Sequence, residues 1–79
     1  MSTTTVKLST LKIGERAVIR GIQAEESVQQ RMYSMGMRAG KEALLIRRGR
    51  LGGPIQIRIG SISLVLRSRD AEHINVSLA

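Results

Sequence analysis

Between residues 55 and 66 apolar and polar residues alternate on both sides of Gly60-Ser61. In Ile55-Gln56-Ile57-Arg58-Ile59 the isoleucines fall on one face of an extended chain, because strand side chains point to opposite faces with a period of two. Ile62, Leu64 and Leu66 repeat the pattern on the returning strand, with Ser61, Ser63, Val65 and Arg67 turned outward. Gly60-Ser61 is a tight-turn signal, so the segment is predicted to be a hairpin with one face to be buried. A lone two-stranded hairpin is marginal in water, so the rest of the 79 residues must cover that face.

Only one stretch reads as a helix, and it carries its own start and stop. Ser27 followed three residues later by Gln30 matches a capping box. In that arrangement the serine hydroxyl accepts from the Gln30 amide and the glutamine side chain reaches back. Val28, Met32 and Met35 fall at helical spacing on one face, which therefore needs burial. Gly36 can take the left-handed conformation that ends a helix without a Cβ clash. Met37 then stands where a Schellman motif makes its apolar contact, against Met32. Gly40 supplies a second tight turn. Ser27, Gln30, Met32, Gly36 and Gly40 are thus the predicted structural residues. Glu25 and Glu26 lie near the helix N-terminus, where negative charge is favoured by about 0.3–1 kcal/mol.

Short strand patterns flank this helix. Leu8, Leu11 and Ile13 precede Gly14, with Ser9–Leu11 predicted as a single 3₁₀ turn. Arg16–Ile22 reads as the first strand, and Gly21 inside it predicts a bulge or a close backbone approach. Glu42–Arg48 reads as the second strand. Its continuous apolar run Ala43-Leu44-Leu45-Ile46 predicts cover on both faces. Arg47-Arg48-Gly49-Arg50 turns the chain into Leu51-Gly52-Gly53-Pro54, a glycine-proline loop with one apolar residue at its tip. After the hairpin, Ser68 is predicted to cap a single helical turn, and Ile74, Val76 and Leu78 alternate in a closing strand. The prediction is a mainly β fold: a small, partly open barrel of about five strands with one short helix between the first two. Such a barrel also removes exposed strand edges. Residues 1–5 are predicted to be a flexible tail and 6–79 a single domain.

The formal net charge of +7, from 13 basic and 6 acidic residues, predicts an anionic partner. Nucleic acid, a membrane surface and an acidic protein all fit that charge. Tyr33 is the only aromatic residue. Single-stranded nucleic acid is held on aromatic platforms, and proline-rich peptides in aromatic grooves, so both readings lose weight. There is no cysteine, which removes disulfides and thiolate zinc sites and fits a reducing compartment. No segment approaches the roughly 20 apolar residues that span a bilayer, and the first residues lack a signal-peptide pattern. A cytoplasmic location is the expectation.

The order of features from Leu8 to Val76 resembles the FeoA family, the small bacterial ferrous iron transport protein A. The likeness rests on several pieces together. They are Leu8-Ser9-Thr10-Leu11 with Gly14; the Arg31-to-Gly40 segment, where the family has Arg-Leu, Leu-Gly and Pro-Gly; Leu51-Gly52-Gly53-Pro54-Ile55; and Leu66-Arg67 with Ala71 and Ile74 behind it. Met32 stands in place of the leucine after Arg31, and Ala39 where proline is common. Arg50 and Gly53 stand where that loop often has proline and aspartate. The resemblance implies an SH3-like barrel. It also implies a cytosolic accessory role beside the membrane ferrous iron transporter, whose soluble part is a GTP-binding domain. A similar barrel forms the last domain of some metal-dependent repressors, but no helix-turn-helix segment is found here.

No enzyme is expected. His73 is the sole histidine and there is no cysteine, so no nucleophile-base triad can be assembled around more than one base. Asp70, Glu72 and His73 are the only carboxylate-imidazole cluster. Three or four rigid ligands make a metal site, so these three predict at most a weak or intermolecular divalent metal and no intrinsic cofactor. Gly49-Arg50-Leu51-Gly52-Gly53 lacks the ending of a phosphate-binding loop. As a protein contact it is more informative, since an apolar tip ringed by charge suits docking. Leu51, Arg50 and Gly52, with Arg47, Arg48, Arg58 and the half-apolar ring of Tyr33, are the predicted partner-binding residues. The plain alternatives are Leu51 folded back onto the barrel rim and arginines that are merely solvated. The functional alternatives are a basic nucleic-acid-binding barrel and a homo-oligomer bridged by metal.

Overall fold

The structure, a computed structural model, describes residues 4–79. Met1–Thr3, part of the predicted tail, lie outside the described residues. Six strands form one antiparallel sheet: β1 (Val6–Lys7), β2 (Arg16–Ile22), β3 (Glu42–Arg48), β4 (Ile55–Ile59), β5 (Ile62–Leu66) and β6 (Ile74–Leu78). The spatial order is β1-β6-β2-β3-β4-β5, so β1 and β5 are the two edges and the barrel stays open between them. The bounds of β2, β3, β4 and β5 are those of the sequence patterns. β1 is an additional strand of two residues; Val6 pairs with Val76 and Lys7 with Asn75. The register of β2 against β6 shifts between Ile19 and Gly21, the bulge predicted at the glycine.

Helix α1 (Glu26–Ser34) joins β2 to β3 and plugs the sheet. Its N-terminus differs from the predicted capping box. The helix starts at Glu26 with Glu25 in the cap position, and no side chain caps it. Ser27 is therefore already inside the first turn, where its hydroxyl cannot reach the free amides ahead of it, and Gln30 has nothing to close back upon. A neighbouring glutamine does the anchoring instead: Gln29 Nε2 donates to the Ile22 carbonyl at 2.7 Å, tying the helix to the end of β2. The C-terminus follows prediction. Gly36 has φ of 96°. The Met37 amide donates to the Met32 carbonyl at 3.1 Å and the Gly36 amide to the Tyr33 carbonyl at 3.0 Å, the paired bonds of a Schellman motif. Gly40 also sits at positive φ, in the turn before β3.

Met32 and Met37 are fully buried among Leu8, Ile19, Leu45, Ile55, Ile57, Ile74 and Val76, the largest side chains of the core. The single turn α2 (Ser68–Ala71) seats Ala71 in the same core, with Arg67 rather than Ser68 in the cap position and no side-chain cap. Three expectations of burial fail at the ends and outer face of the sheet. Ile62 and Leu78 share the inner face with their partners Ile59 and Ala17, yet are 58% and 57% exposed, because both lie at open ends of the sheet. β3 is covered on one face only. Ala43 and Leu45 are buried, while Leu44 and Ile46 are half-buried. Among the described residues no helix is long and apolar enough to cross a membrane.

Candidate functional site

The β3–β4 connection is the most unusual piece of backbone in the chain. A short 3₁₀ turn, Arg50–Gly52, carries Leu51 at φ 54°, ψ 48°, and Leu51 is the only non-glycine residue at positive φ among those described. Left-handed backbone costs an ordinary L-residue about 1–2 kcal/mol. The loop holds the strain by a backbone frame: the Gly49 amide donates to the Pro54 carbonyl at 2.8 Å and the Gly53 amide to the Arg50 carbonyl at 2.9 Å. Gly49 and Gly53 pack closely enough that a Cβ on either would lie within about 3 Å of backbone or of the proline ring. Two glycines thus close the base of the loop, and Leu51 stands fully exposed at its tip. Nothing in the fold is gained by an apolar side chain there.

The charge around this loop is one-sided. From Ala43 to Arg69 the sequence holds six arginines and no acidic residue. Arg50, next to Leu51 in the turn, is exposed, and so is Arg47 near the end of β3. Arg67 and Arg69 line a shallow depression with Gly52, Gly53 and Pro54. Sequence reasoning missed Arg67 and Arg69. The signal was available, because a two-residue turn at Gly60-Ser61 sets Ile55 opposite Leu66, and hence Pro54 beside Arg67.

The other predicted partner residues are not brought to this place. Arg48 is half-buried, and its Nη2 donates to the carbonyls of Ser9 (2.9 Å) and Leu11 (2.6 Å). Its guanidinium is engaged by the 3₁₀ turn Leu8–Thr10 and is not presented outward. Arg58 points from the far half of β4 and lines a second, broader groove of about 750 Å³ with Arg16, Lys41, Leu44 and Ile62. Tyr33 is half-buried against the core. Of the predicted partner residues, Leu51, Arg50 and Gly52 share one loop and Arg47 is exposed near the end of β3, while Arg67 and Arg69 lie beside the loop.

The predicted metal ligands do not converge. Among the described residues no three His, Cys, Asp or Glu side chains are placed to hold an ion. Asp70 turns toward Arg31 of α1 at 3.7 Å, while Glu72 and His73 are exposed on the turn into β6.

A sequence profile of the FeoA domain matches residues 6–78, nearly the whole described chain. The chain belongs to the FeoA family. No curated protein sequence matches it. Among solved structures, it is similar to the FeoA protein of Chlorobium tepidum: 34% identity over 92% of this chain and 70% of that one, with a TM-score of 0.85. It is also similar to the FeoA of Stenotrophomonas maltophilia: 25% identity, 91% and 89% coverage, TM-score 0.80. That protein was solved with zinc and is described as an SH3 domain protein. A manganese-dependent transcriptional repressor shares the fold, with 20% identity and a TM-score of 0.90, over 44% of its own length. The fold is thus the SH3-like, partly open barrel expected from the sequence.

Proposed function

We propose that this FeoA protein is a non-enzymatic, cytoplasmic accessory protein of bacterial ferrous iron uptake. In this reading it docks by its Leu51 loop on the soluble GTP-binding part of the membrane ferrous iron transporter. The observation that carries the reading is Leu51 itself: an aliphatic side chain fully exposed, on strained backbone, inside a frame of glycines, next to Arg50 and with Arg67 and Arg69 lining the depression beside its loop. A strained, exposed apolar tip does nothing for stability, and such features are kept where binding uses them. The Stenotrophomonas relative is put forward as a ferrous iron transport activating factor, which supports the same direction for this chain. The nucleic-acid alternative lacks a stacking platform, since Tyr33, the one aromatic ring, is packed against the core.

Burying one leucine is worth about 1.5–3 kcal/mol, so its loss is expected to weaken binding by about 10- to 100-fold. The test is calorimetric titration of the chain into the transporter's isolated soluble domain, with Leu51→Asp as the variant. Aspartate tolerates left-handed backbone, so the fold is retained. Wild-type binding together with a loss of that size in the variant supports the reading. No binding by the wild type at low or physiological salt, or equal binding by Leu51→Asp, overturns it.

A further inference from the structure

The two edges of the sheet are treated differently. β1 is two residues long and ends in Lys7, a short and charged edge of the kind that discourages strand pairing. β5 runs for five residues, Ile62-Ser63-Leu64-Val65-Leu66, with no charge, proline or bulge, and among the described residues it pairs only with β4. Its pairing with β4 begins at Ile59–Ile62, directly across a two-residue turn. In such a hairpin the closing pair is hydrogen-bonded and the bonding alternates from there. The backbone groups of Ile62, Leu64 and Leu66 therefore face β4, and those of Ser63 and Val65 face outward from the sheet. Val65 is 69% exposed and Ile62 58%.

We propose that the β5 edge is a strand-addition site for an extended segment of another protein that alternates aliphatic and acidic side chains. The backbone of Ser63 and Val65 supplies the main-chain bonds, and alternate side chains supply the specificity. On the inner face the neighbours are Ile62 and Leu64, which call for aliphatic side chains. On the outer face cross-strand pairing sets Arg58 beside Ser63 and carries Arg47 and Gln56 in line with Val65, while Arg67 follows the end of the strand. Strands lie about 4.8 Å apart, so Arg58 on β4 stands two spacings, roughly 10 Å, from the newcomer, a gap that an arginine and a glutamate side chain span together; Arg67 continues the edge itself, and Arg47, one strand further in, adds long-range attraction only. A second copy of this chain is the wrong occupant, because β4 and β5 hold no acidic residue, so antiparallel pairing of two β5 edges offers no carboxylate to Arg58 or Arg67. The site shares Arg47 and Arg67 with the Leu51 loop but needs neither Leu51 nor the transporter, so it stands or falls on its own test.

The test uses two synthetic peptides, one alternating Glu with Val and one alternating Lys with Val, titrated into the isotopically labelled full chain by NMR. The Glu peptide is expected to shift the β5 amides and to slow solvent exchange at Ser63 and Val65, and the Lys peptide to do neither. Val65→Pro removes only an outward N–H, so it keeps the β4 ladder and is expected to weaken the Glu peptide by about tenfold or more. Val65→Glu keeps the backbone donor but adds a like charge to the edge, and a comparable loss is expected even if the proline variant proves unstable. The proposal is overturned by equal binding of the two peptides, by undiminished binding to Val65→Glu, or by shifts away from β5. Exchange protection of Ser63 and Val65 in a concentration-dependent dimer of the chain alone also overturns it.

Discussion

Arg48, the last residue of β3, and Leu51, three positions on in the β3–β4 connection, are used in opposite ways. Arg48 is turned into the fold, where one guanidinium nitrogen satisfies two carbonyls of the turn that carries Leu8 and Leu11. Removing it leaves both acceptors without a partner, and charged hydrogen bonds of this kind matter more than neutral ones. Arg48→Ala is expected to cost about 2 kcal/mol and lower the melting temperature by roughly 10 °C. Arg47→Ala, whose side chain is exposed, should leave it almost unchanged; equal melting of the two variants would contradict the anchoring role. Leu51 faces the other way. Its side chain packs on nothing and its backbone is strained, so Leu51→Gly is expected to stabilise the isolated domain by about 0.5–1 kcal/mol in denaturant unfolding. A destabilised glycine variant would show that the leucine contributes to the fold.

Helix α1 is held by its C-terminus, by the Gln29 tether to β2 and by the Arg31–Asp70 pair. Gly36 makes the left-handed turn that lets Met37 fold back among the core residues. A Cβ there meets no atom, so the cost of Gly36→Ala is conformational alone, about 1 kcal/mol by thermal unfolding. Ser27→Ala is expected to change stability by less than about 0.5 kcal/mol, because no cap bond exists to lose. The difference between these two ends explains what was legible in the sequence. A glycine stop and a two-residue hairpin turn are local chemistry, so the Schellman motif and the limits of β2 to β5 can be read from neighbouring residues. The Ser-x-x-Gln pattern is local too, but Gln29 has a longer-range partner in the Ile22 carbonyl, and the helix begins two residues early, with Glu25 rather than Ser27 in the cap position. β1 is too short to show a period, and it exists only because β6 lies beside it. Leu51 could be expected at the surface from its glycine and arginine neighbours. The inward turn of Arg48 could not, since its acceptors lie 37 and 39 residues away.

Across the whole molecule the charges are segregated. All six acidic residues lie outside the segment from Ala43 to Arg69, so the two hairpins carry only positive charge, at Arg47, Arg50 and Arg67 near the loop and at Arg58 in the second groove. Surface attraction of this kind speeds association and is screened over about 8 Å at physiological ionic strength. Association with an acidic partner is therefore expected to slow as salt rises, while dissociation, governed by the buried Leu51 contact, changes little; stopped-flow mixing separates the two rates. The central claim is that the Leu51 loop is the docking site, and amide chemical-shift mapping tests it most directly. With the isotopically labelled chain and the unlabelled soluble domain of the ferrous iron transporter, the largest changes are predicted at residues 47–54 and 67–69. A footprint centred instead on α1 or β6, with the loop amides unmoved, would contradict it.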